Sequence, residues 1–322
     1  MSLKIYVDFA LTPELLERLK AGTQGHELIL PKKPASVLSL GEIEPSFYEA
    51  DIAFGQPITE AIEKAESLKW IQVSSSGVTR YDTPEFRSFA SSKGIKLSNS
   101  ASVFNDACAD HTLSFMLAQS RKLPQGLAST TANGTDEWNQ LRSGSVSLRG
   151  QSAIILGYGA IGKRLAELLA PFEMKLSAYR RTPRGDEGMP VIDAESLPAA
   201  LAETDHIINI LPDSQATQQF FDATRFAQCK PGSVFYNIGR GTTVDQSALA
   251  QALSDGPIRE AWLDVTDPEP LPADHQLRQL PNCFITPHTA GGHANEAESC
   301  IDHFLRNLQL FTDGKEPNDR VI

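Results

Sequence analysis

The amino-acid sequence predicts an α/β protein with a doubly wound parallel sheet and a second, smaller α/β unit. Two observations predict this architecture. Short apolar runs alternate with helical patterns along most of the chain, and such alternation is typical of parallel sheets. The chain has 322 residues, which is enough for two domains. We expect one domain over residues 101–290 and another made of residues 1–100 and 291–322.

The first hundred residues form the smaller unit. Strands are predicted at 3–7, 52–54, 70–73 and 95–97, and helices at 13–19 and 60–67, with Thr59 as the cap of the second helix. The stretch Val73-Ser74-Ser75-Ser76-Gly77-Val78 runs from a strand into small residues. Such a turn can expose successive backbone N–H groups that bind a carboxylate, although by itself it reads more simply as a flexible turn.

The larger unit continues the same alternation. A helix over 107–121 is followed by a polar stretch, 122–147, in which Trp138 is the large apolar anchor; this stretch is expected to connect domains or contact another copy. The strands and helices expected after it are strands 153–156, 175–179, 206–211, 233–237, 260–265 and 283–286, and helices 161–169, 199–203, 217–226, 245–253 and 294–310.

Composition excludes several classes of protein. A formal net charge of −11 argues against non-specific binding to nucleic acid or anionic membranes, so an anionic substrate would need local cations. The N-terminus reads as a strand rather than a signal peptide, no apolar run approaches the length of a membrane span, and we expect a cytoplasmic protein. The cysteines are scattered, which predicts reduced thiols and does not fit a zinc site.

The strongest local signal is the run Gly157-Tyr158-Gly159-Ala160-Ile161-Gly162, between a predicted buried strand and a predicted helix. In this context the first glycine permits a tight turn, the second lets the backbone approach a pyrophosphate, and the third allows close packing of helix and strand. The helix then offers free N–H groups and the positive end of its dipole to phosphates. The run therefore predicts a dinucleotide site; a turn that merely links strand to helix is the alternative.

Arg180, Arg181 and Arg184 follow the next predicted strand. NAD-binding units usually carry Asp or Glu about 20 residues after the glycines. Here Arg180 stands 18 residues after the last glycine, and no carboxylate comes before Asp186. Guanidinium groups bind a 2′-phosphate bidentately, whereas a carboxylate would repel it. The prediction is NADPH rather than NADH; three solvated arginines on a loop are the alternative.

Arg240, Glu269 and His288 follow three successive predicted strands. Ligands of open α/β sheets bind beyond the carboxyl ends of the strands. Arg240 stands between glycines and can clamp a carboxylate, while Glu269 on one nitrogen of His288 would leave the other to deliver a proton. Taken singly, each residue could equally be a surface charge, a solvated turn residue or a residue at the entry of a helix. Taken together, the three predict a catalytic site. His293 is a minor alternative to His288 as the acid.

These motifs resemble those of the NAD(P)-dependent D-isomer-specific 2-hydroxyacid dehydrogenases, over nearly the whole chain. The resemblance is carried, in order, by Gly157-Tyr158-Gly159-Ala160-Ile161-Gly162, Asn237-Ile238-Gly239-Arg240-Gly241, Leu263-Asp264-Val265-Thr266-Asp267-Pro268-Glu269-Pro270-Leu271 and Ile285-Thr286-Pro287-His288-Thr289-Ala290-Gly291. It implies a Rossmann nucleotide domain, a smaller flavodoxin-like substrate domain, and hydride transfer between a nicotinamide cofactor and a small 2-oxo acid with D-stereochemistry.

The resemblance also implies residue roles. Arg240 would bind the 2-oxo acid, Glu269 would orient and charge the histidine, and His288 would be the acid/base. Backbone N–H groups around Ser76-Gly77-Val78 would hold the substrate carboxylate. Besides the glycine run and the three arginines, the expected cofactor contacts are Asp264 (at the nicotinamide carboxamide), Leu211, Pro212, Thr217, Ile238 and Gly291.

Three positions depart from the family pattern. Arg180 replaces a usual acidic residue, which resembles the NADPH-using glyoxylate/hydroxypyruvate reductases. Ser100-Ala101-Ser102 stands where Thr-Pro is common, and Asp110 replaces a frequent Glu before His111; both bear on hinge details.

Two other functions fit the same fold. One is a dinucleotide-sensing interaction protein, like the dehydrogenase-related corepressors, which keep the same three polar residues. The other is a dehydrogenase of formate or phosphite, which the arginines disfavour because those reactions usually use NAD. Fold analogy further predicts a homodimer through the nucleotide domain, with no nucleic-acid or membrane partner.

Overall fold

The structure, a computed structural model, describes residues 2–8, 10–33, 43–180 and 183–322. Arg181 therefore lies outside the described residues. Within them the strands are β1 Lys4–Asp8, β2 Glu27–Ile29, β3 Ile52–Gly55, β4 Trp70–Val73, β5 Lys96–Ser98, β6 Ser152–Leu156, β7 Lys175–Tyr179, β8 Val191–Ile192, β9 His206–Asn209, β10 Ser233–Asn237, β11 Ile258–Leu263 and β12 Cys283–Ile285. The α-helices are α1 Pro13–Gly22, α2 Thr59–Ile62, α3 Pro84–Lys93, α4 Ala101–Ser120, α5 Leu123–Ala128, α6 Asp136–Gly144, α7 Ala160–Leu169, α8 Leu197–Glu203, α9 Ala223–Ala227, α10 Gln246–Ser254, α11 Gln276–Gln279 and α12 Glu296–Thr312.

Contacts between Cα atoms divide the chain into two compact units. The first comprises Met1–Phe104 and Gly292–Ile322, and the second comprises Asn105–Gly291. Each unit contains one sheet, and the strands of both sheets pair in parallel. The predicted α/β class with parallel sheets is confirmed.

The sheet of the first unit has the order β2-β1-β3-β4-β5, which is the order of flavodoxin-like sheets. Its strand β4 begins and ends where the sequence predicts. The short strand β2 is not predicted, although Leu28 and Ile29 are apolar. The loops after β3 and β4 leave the sheet side by side at its carboxyl edge.

Helix α12 supplies much of the core on one face of this sheet. The Phe304 ring stacks on Phe54 with a centroid distance of 4.4 Å and on Trp70 at 5.6 Å. Both contacts are nearly parallel, with interplanar angles of 6° and 11°. These buried aromatic rings hold the end of the chain against the N-terminal strands and complete the first unit.

The prediction of a helix over 60–67 is wrong in extent. Helix α2 ends at Ile62, and Ile58, which makes no side-chain capping bond, stands at its N-cap in place of Thr59. The amides of Lys64 and Ala65 donate to carbonyls three residues earlier, at 3.2 and 3.1 Å. The chain therefore continues as tight turns, which an i, i+4 charge pattern does not distinguish from an α-helix.

The sheet of the second unit has the order β12-β11-β10-β9-β6-β7-β8. The chain builds outward from β6 in one direction through β7 and β8, and in the other through β9 to β12. This is a doubly wound sheet, and its switch point lies between β6 and β9. Residues 153–156 of β6 are at most 1% exposed, as the apolar run predicts for a strand covered on both faces.

The prediction of a helix over 217–226 is wrong for its first half. Gln219 has φ 46°, and its amide donates to the Thr242 carbonyl at 2.8 Å. The Phe221 amide donates to the Thr243 carbonyl at 3.0 Å. Because these amides donate to distant carbonyls, they do not form the hydrogen bonds of a helix. Helix α9 therefore starts only after its N-cap, Asp222.

No helix in the described parts of the chain is long and apolar enough to cross a membrane. Cys108, Cys229, Cys283 and Cys300 are free thiols. Burial raises the pKa of each to about 12, so they are poor nucleophiles at neutral pH.

Candidate active site

The three glycines of the turn between β6 and α7 differ in what surrounds them, and two of them leave little room for a side chain. Gly157 has φ 93°, and a Cβ there would stand 2.5 Å from the Ile210 carbonyl oxygen. A Cβ on Gly162 would stand 3.2 Å from Ile155 Cγ2, which reflects close packing of helix and strand. At Gly159, the N-cap of α7, a Cβ would meet no heavy atom of the described residues within 4 Å. This open approach to the backbone fits the pyrophosphate of a dinucleotide.

The first turn of α7 presents donors at the same place. The Lys163 amide donates to the Gly159 carbonyl at 2.9 Å and starts the helical ladder. The amides of Ala160, Ile161 and Gly162 come before it and have no acceptor among the described residues. Free amides at the positive end of a helix dipole bind phosphate groups.

Glu187 organises the loop after β7. Its buried carboxylate accepts hydrogen bonds from the Arg184 amide (2.7 Å), the Gly185 amide (2.8 Å) and Arg180 Nη1 (3.0 Å). The bond from the Arg184 amide is the main cause that holds the pKa of Glu187 below its ordinary value. The Tyr158 hydroxyl donates to the Glu187 carbonyl at 3.2 Å. The Tyr158 side chain therefore supports this loop, and its contact does not involve the backbone of the glycine turn, which is predicted to contact the cofactor.

Arg180 is therefore less open than the sequence predicts. Its side chain is 15% exposed, and Nη1 also lies 3.9 Å from Asp186 Oδ1. Arg184, in contrast, is exposed. The sequence does not reveal the pairing with Glu187, because a turn that folds back over seven residues leaves no periodic pattern.

The other predicted cofactor residues lie in loops that follow strands β9, β10 and β12. Leu211 and Pro212 follow β9, and Ile238 follows β10; Leu211 and Ile238 are buried. Thr217 Oγ1 donates to the Pro212 carbonyl at 2.5 Å and closes the turn. Gly291 is the last residue of the second unit.

Glu269 and His288 are in contact. Glu269 Oε1 lies 2.7 Å from His288 Nδ1, and the two side chains are 38% and 42% exposed. No described residue forms a hydrogen bond with Nε2 of His288. A carboxylate on Nδ1 fixes which nitrogen carries the outward proton, so Nε2 can exchange a proton with a ligand.

Asp264 holds the loop that carries His288. Its carboxylate accepts hydrogen bonds from Thr286 Oγ1 (2.6 Å), the Thr289 amide (2.8 Å) and the Ala290 amide (2.9 Å), and its carbonyl accepts the His288 amide (2.9 Å). His288 has φ 51°, which is uncommon for a residue with a side chain. The surrounding bonds fix that conformation. Both oxygens of Asp264 thus position the histidine loop, a role that the sequence does not reveal.

His111 extends this network from α4. Its Nε2 lies 3.3 Å from Thr286 Oγ1 and 3.7 Å from Asp264 Oδ1. Burial lowers the pKa of His111 below its ordinary value, and the Asp264 charge opposes that shift. His111 is thus a packed residue that borders the site.

Arg240 follows β10, which pairs with β11; β12 lies on the other side of β11. Its Nη1 donates to the Gly239 carbonyl at 2.6 Å, and its own carbonyl accepts two side-chain hydrogen bonds. No carboxylate of the described residues lies within 4.0 Å of its guanidinium. Its charge is therefore available for an anionic ligand. The structure places Arg240, Glu269 and His288 on loops after neighbouring strands, as the order of the motifs predicts.

The small-residue loop after β4 turns its carbonyls toward the protein. The carbonyls of Ser75, Ser76 and Gly77 each accept a hydrogen bond, at 3.0, 2.7 and 2.7 Å. The amides of Ser76, Gly77 and Val78 have no acceptor in the described part of the chain. Successive amides of this kind make a concave anion site.

A family model for the D-isomer specific 2-hydroxyacid dehydrogenase, NAD binding domain, matches residues 113–290, more than half of the chain. The chain belongs to this family. The dehydrogenase is 34% identical to human glyoxylate reductase/hydroxypyruvate reductase over 225 residues, which cover 69% of this chain and 67% of that protein. It is 30% identical to glyoxylate reductase of Thermococcus litoralis over 270 residues, 81% of this chain and 79% of that protein.

A solved structure shows the same fold over the whole chain. The NADPH-dependent glyoxylate/hydroxypyruvate reductase of Sinorhizobium meliloti, in complex with NADP and malonate, matches with a TM-score of 0.74 and 26% identity. The match covers 100% of this chain and 97% of that one. The resemblance is confirmed, and this 2-hydroxyacid dehydrogenase is a nicotinamide-dependent oxidoreductase rather than a non-enzymatic interaction protein.

Proposed function

We propose that this dehydrogenase reduces a small 2-oxo acid, such as glyoxylate or hydroxypyruvate, with NADPH. The observation that carries the proposal is the 2.7 Å contact between Glu269 Oε1 and His288 Nδ1, with Nε2 left open. Glu269 and His288 lie on the loops that follow β11 and β12, two strands of the sheet that also carries the glycine turn. The substrate class is supported by the relatives that are named glyoxylate reductase and hydroxypyruvate reductase.

The side chains then have separate tasks. When bound, the nicotinamide supplies the hydride that reduces carbon 2 of the 2-oxo acid. His288 donates its Nδ1 proton in a hydrogen bond to Glu269 and gives the Nε2 proton to the oxo oxygen. Arg240 stabilises the negative charge that develops on that oxygen and orients the substrate. The amides of Ser76, Gly77 and Val78 bind the carboxylate, which is supported by their lack of an acceptor among the described residues.

The cofactor would be held by the glycine run and the α7 amides, with Leu211, Pro212, Thr217, Ile238 and Gly291 around it. For its adenosine end we propose a preference for NADPH. Arg180 stands where an NAD-binding unit would carry a carboxylate, and Arg184 is exposed beside it. The buried carboxylate of Glu187 also accepts hydrogen bonds from two backbone amides. It therefore keeps two hydrogen-bond donors when Arg180 contacts a phosphate. The relative solved with NADP supports this preference.

Steady-state kinetics with glyoxylate, hydroxypyruvate and pyruvate, each with NADPH and NADH, test both parts. We expect turnover of at least one acid, with kcat/KM roughly 10- to 100-fold higher for NADPH, because charge-assisted hydrogen bonds contribute ~1.5–3 kcal/mol. A preference for NADH would refute the cofactor assignment alone. Absence of turnover for every acid, with NADPH still bound, would refute the reaction.

We also propose a homodimer through the second unit. Helix α5 exposes Leu127 at 85% and Leu123 at 47%, and exposed apolar patches mark contact surfaces. Trp138 on α6, the residue that the sequence indicates, is half-buried, with the Arg142 guanidinium 4.5 Å from its ring centroid. Leu127 is therefore the better probe of a dimer contact.

Leu127→Glu is expected to convert the dimer to a monomer, since a carboxylate buried at an apolar interface has no charge to pair with. Sedimentation velocity at several concentrations measures this. Leu30→Glu, at a leucine of the first unit that is 45% exposed, is the matched control and should remain dimeric. A wild-type protein that sediments as a monomer, or a dimer unaffected by Leu127→Glu, would contradict the assignment.

A further inference from the structure

Arg80 is an arginine with a buried and unpaired nitrogen. It lies in the loop after β4, two residues beyond Val78. Its Nη1 is inaccessible to solvent and has no hydrogen-bond partner among the described residues. The guanidinium also acts on the Tyr81 hydroxyl, where it lowers the pKa of that group against the larger, opposite effect of burial. No carboxylate in the described part of the chain lies within ion-pair distance of its guanidinium. A buried charged donor is costly unless an acceptor satisfies it, so this nitrogen calls for an anion.

The guanidinium lies at the edge of the sheet where ligands bind. Its central carbon is 5.9 Å from the ring centroid of Tyr81, which is fully buried. The Tyr81 hydroxyl donates to the Pro57 carbonyl at 2.7 Å, and Pro57 belongs to the loop after β3. Arg80 therefore lies where the loops after two neighbouring strands meet, at the carboxyl edge of the sheet.

Three other arginines of the same unit are paired at the surface, whereas Arg306, which is exposed, lies within 4.0 Å of no carboxylate in the described part of the chain. Arg18, Arg87 and Arg320 each form an ion pair with a carboxylate at the surface, and their side chains are 44–50% exposed. Arg80 has no such pair, although the chain carries a net charge of −11 and is rich in carboxylates. A guanidinium that is kept apart from so many carboxylates is available to a ligand.

We propose that Arg80 binds a second anionic group of the substrate. The preferred substrate is then a 2-oxo acid with a carboxylate or phosphate at its far end. The amides of Ser76, Gly77 and Val78 bind the carboxylate beside the oxo group, and Arg80, on the same loop, binds the distal anion through its planar fork. This inference rests on the proposed function and narrows its substrate class; acids without a distal anion are used with lower kcat/KM.

Matched pairs of substrates test the proposal. The pairs are 2-oxobutyrate with oxaloacetate, 2-oxopentanoate with 2-oxoglutarate, and hydroxypyruvate with its 3-phosphate; only the second member of each has a distal anion. For wild-type enzyme we expect kcat/KM to be about 10- to 100-fold higher with the anionic member of at least one pair. A preference in one of the first two pairs would identify the distal group as a carboxylate, and a preference in the third pair would identify it as a phosphate.

Arg80→Gln is expected to make kcat/KM equal for the anionic and the neutral member of that pair. Arg80→Lys keeps the positive charge without the planar fork, so it should retain part of the wild-type ratio between the two. Arg87→Gln removes the same charge from a surface ion pair of the same unit and should leave the ratio at its wild-type value. Circular dichroism checks that each variant folds; if Arg80→Gln does not, Arg80→Lys carries the comparison.

Equal kcat/KM within every pair for wild-type enzyme would overturn the proposal, and so would an Arg80→Gln or Arg80→Lys variant that keeps the full wild-type ratio. Turnover of glyoxylate or pyruvate but of none of these six acids would also overturn it, whereas absence of turnover for all of these 2-oxo acids, with NADPH still bound, would refute the proposed function itself.

Discussion

Replacement of His288 with glutamine is expected to lower kcat by roughly 10²–10⁴, the usual contribution of a positioned general acid. Glutamine fills similar space and keeps a polar group near Glu269, but it has no proton to give at the position of Nε2. The affinity for NADPH is expected to stay at its wild-type value, because the glycine turn and the arginine loop are untouched. Stopped-flow reduction and a fluorescence titration with NADPH measure the two quantities.

His293→Gln is the matched control. His293 is the nearest alternative acid in the sequence, and its Nε2 lies 3.5 Å from Ser299 Oγ at the start of α12. We expect a kcat close to wild type for this variant. A large loss in His293→Gln together with an unchanged kcat in His288→Gln would transfer the acid role to His293.

Replacement of Arg240 with glutamine is expected to lower kcat/KM by roughly 10²–10³, the scale seen when one donor to a developing oxyanion is removed. In the proposed reaction the guanidinium would contact the substrate both before and during proton transfer, so we expect KM to rise as well as kcat to fall. Arg240→Lys should recover only part of the loss, because an ammonium cannot replace a planar fork. Initial-rate kinetics over a range of substrate concentrations measure both parameters.

Arg259→Gln is the control for this charge change. Arg259 lies on β11, the strand beside Arg240, and its side chain is exposed. Its loss should leave kcat/KM near the wild-type value. An Arg240→Gln variant as active as Arg259→Gln would remove Arg240 from the reaction.

The sequence predicts those features whose signal is local. The turn from β6 into α7 is readable because an apolar strand, three spaced glycines and an amphipathic helix stand next to one another. The contact between Glu269 and His288 is readable because parallel strands bring their carboxyl ends to one edge, so motifs far apart in the chain become neighbours. Both inferences need only the order of elements and the chemistry of their last residues.

Contacts that depend on how a loop folds back on itself cannot be predicted from the order of elements or from sequence spacing. Glu187 accepts hydrogen bonds from residues three and seven positions earlier, and nothing in the spacing marks it. Asp264 positions the histidine loop through the amides of Thr289 and Ala290, which every residue possesses. The same limit explains the segment around Gln219, whose amide is taken by a carbonyl of a later loop.

The turn closed by Glu187 bears on how cofactor choice can be redesigned. Because two backbone amides hold its carboxylate, the turn keeps its shape when the side chains at 180 and 184 are exchanged. An acidic side chain brought in at 180 to favour NADH would, however, face a buried negative charge about where the arginine now donates. For an enzyme with the proposed preference for NADPH, conversion to NADH therefore calls for a paired exchange, in which Glu187 is made neutral at the same time as Arg180 is made acidic.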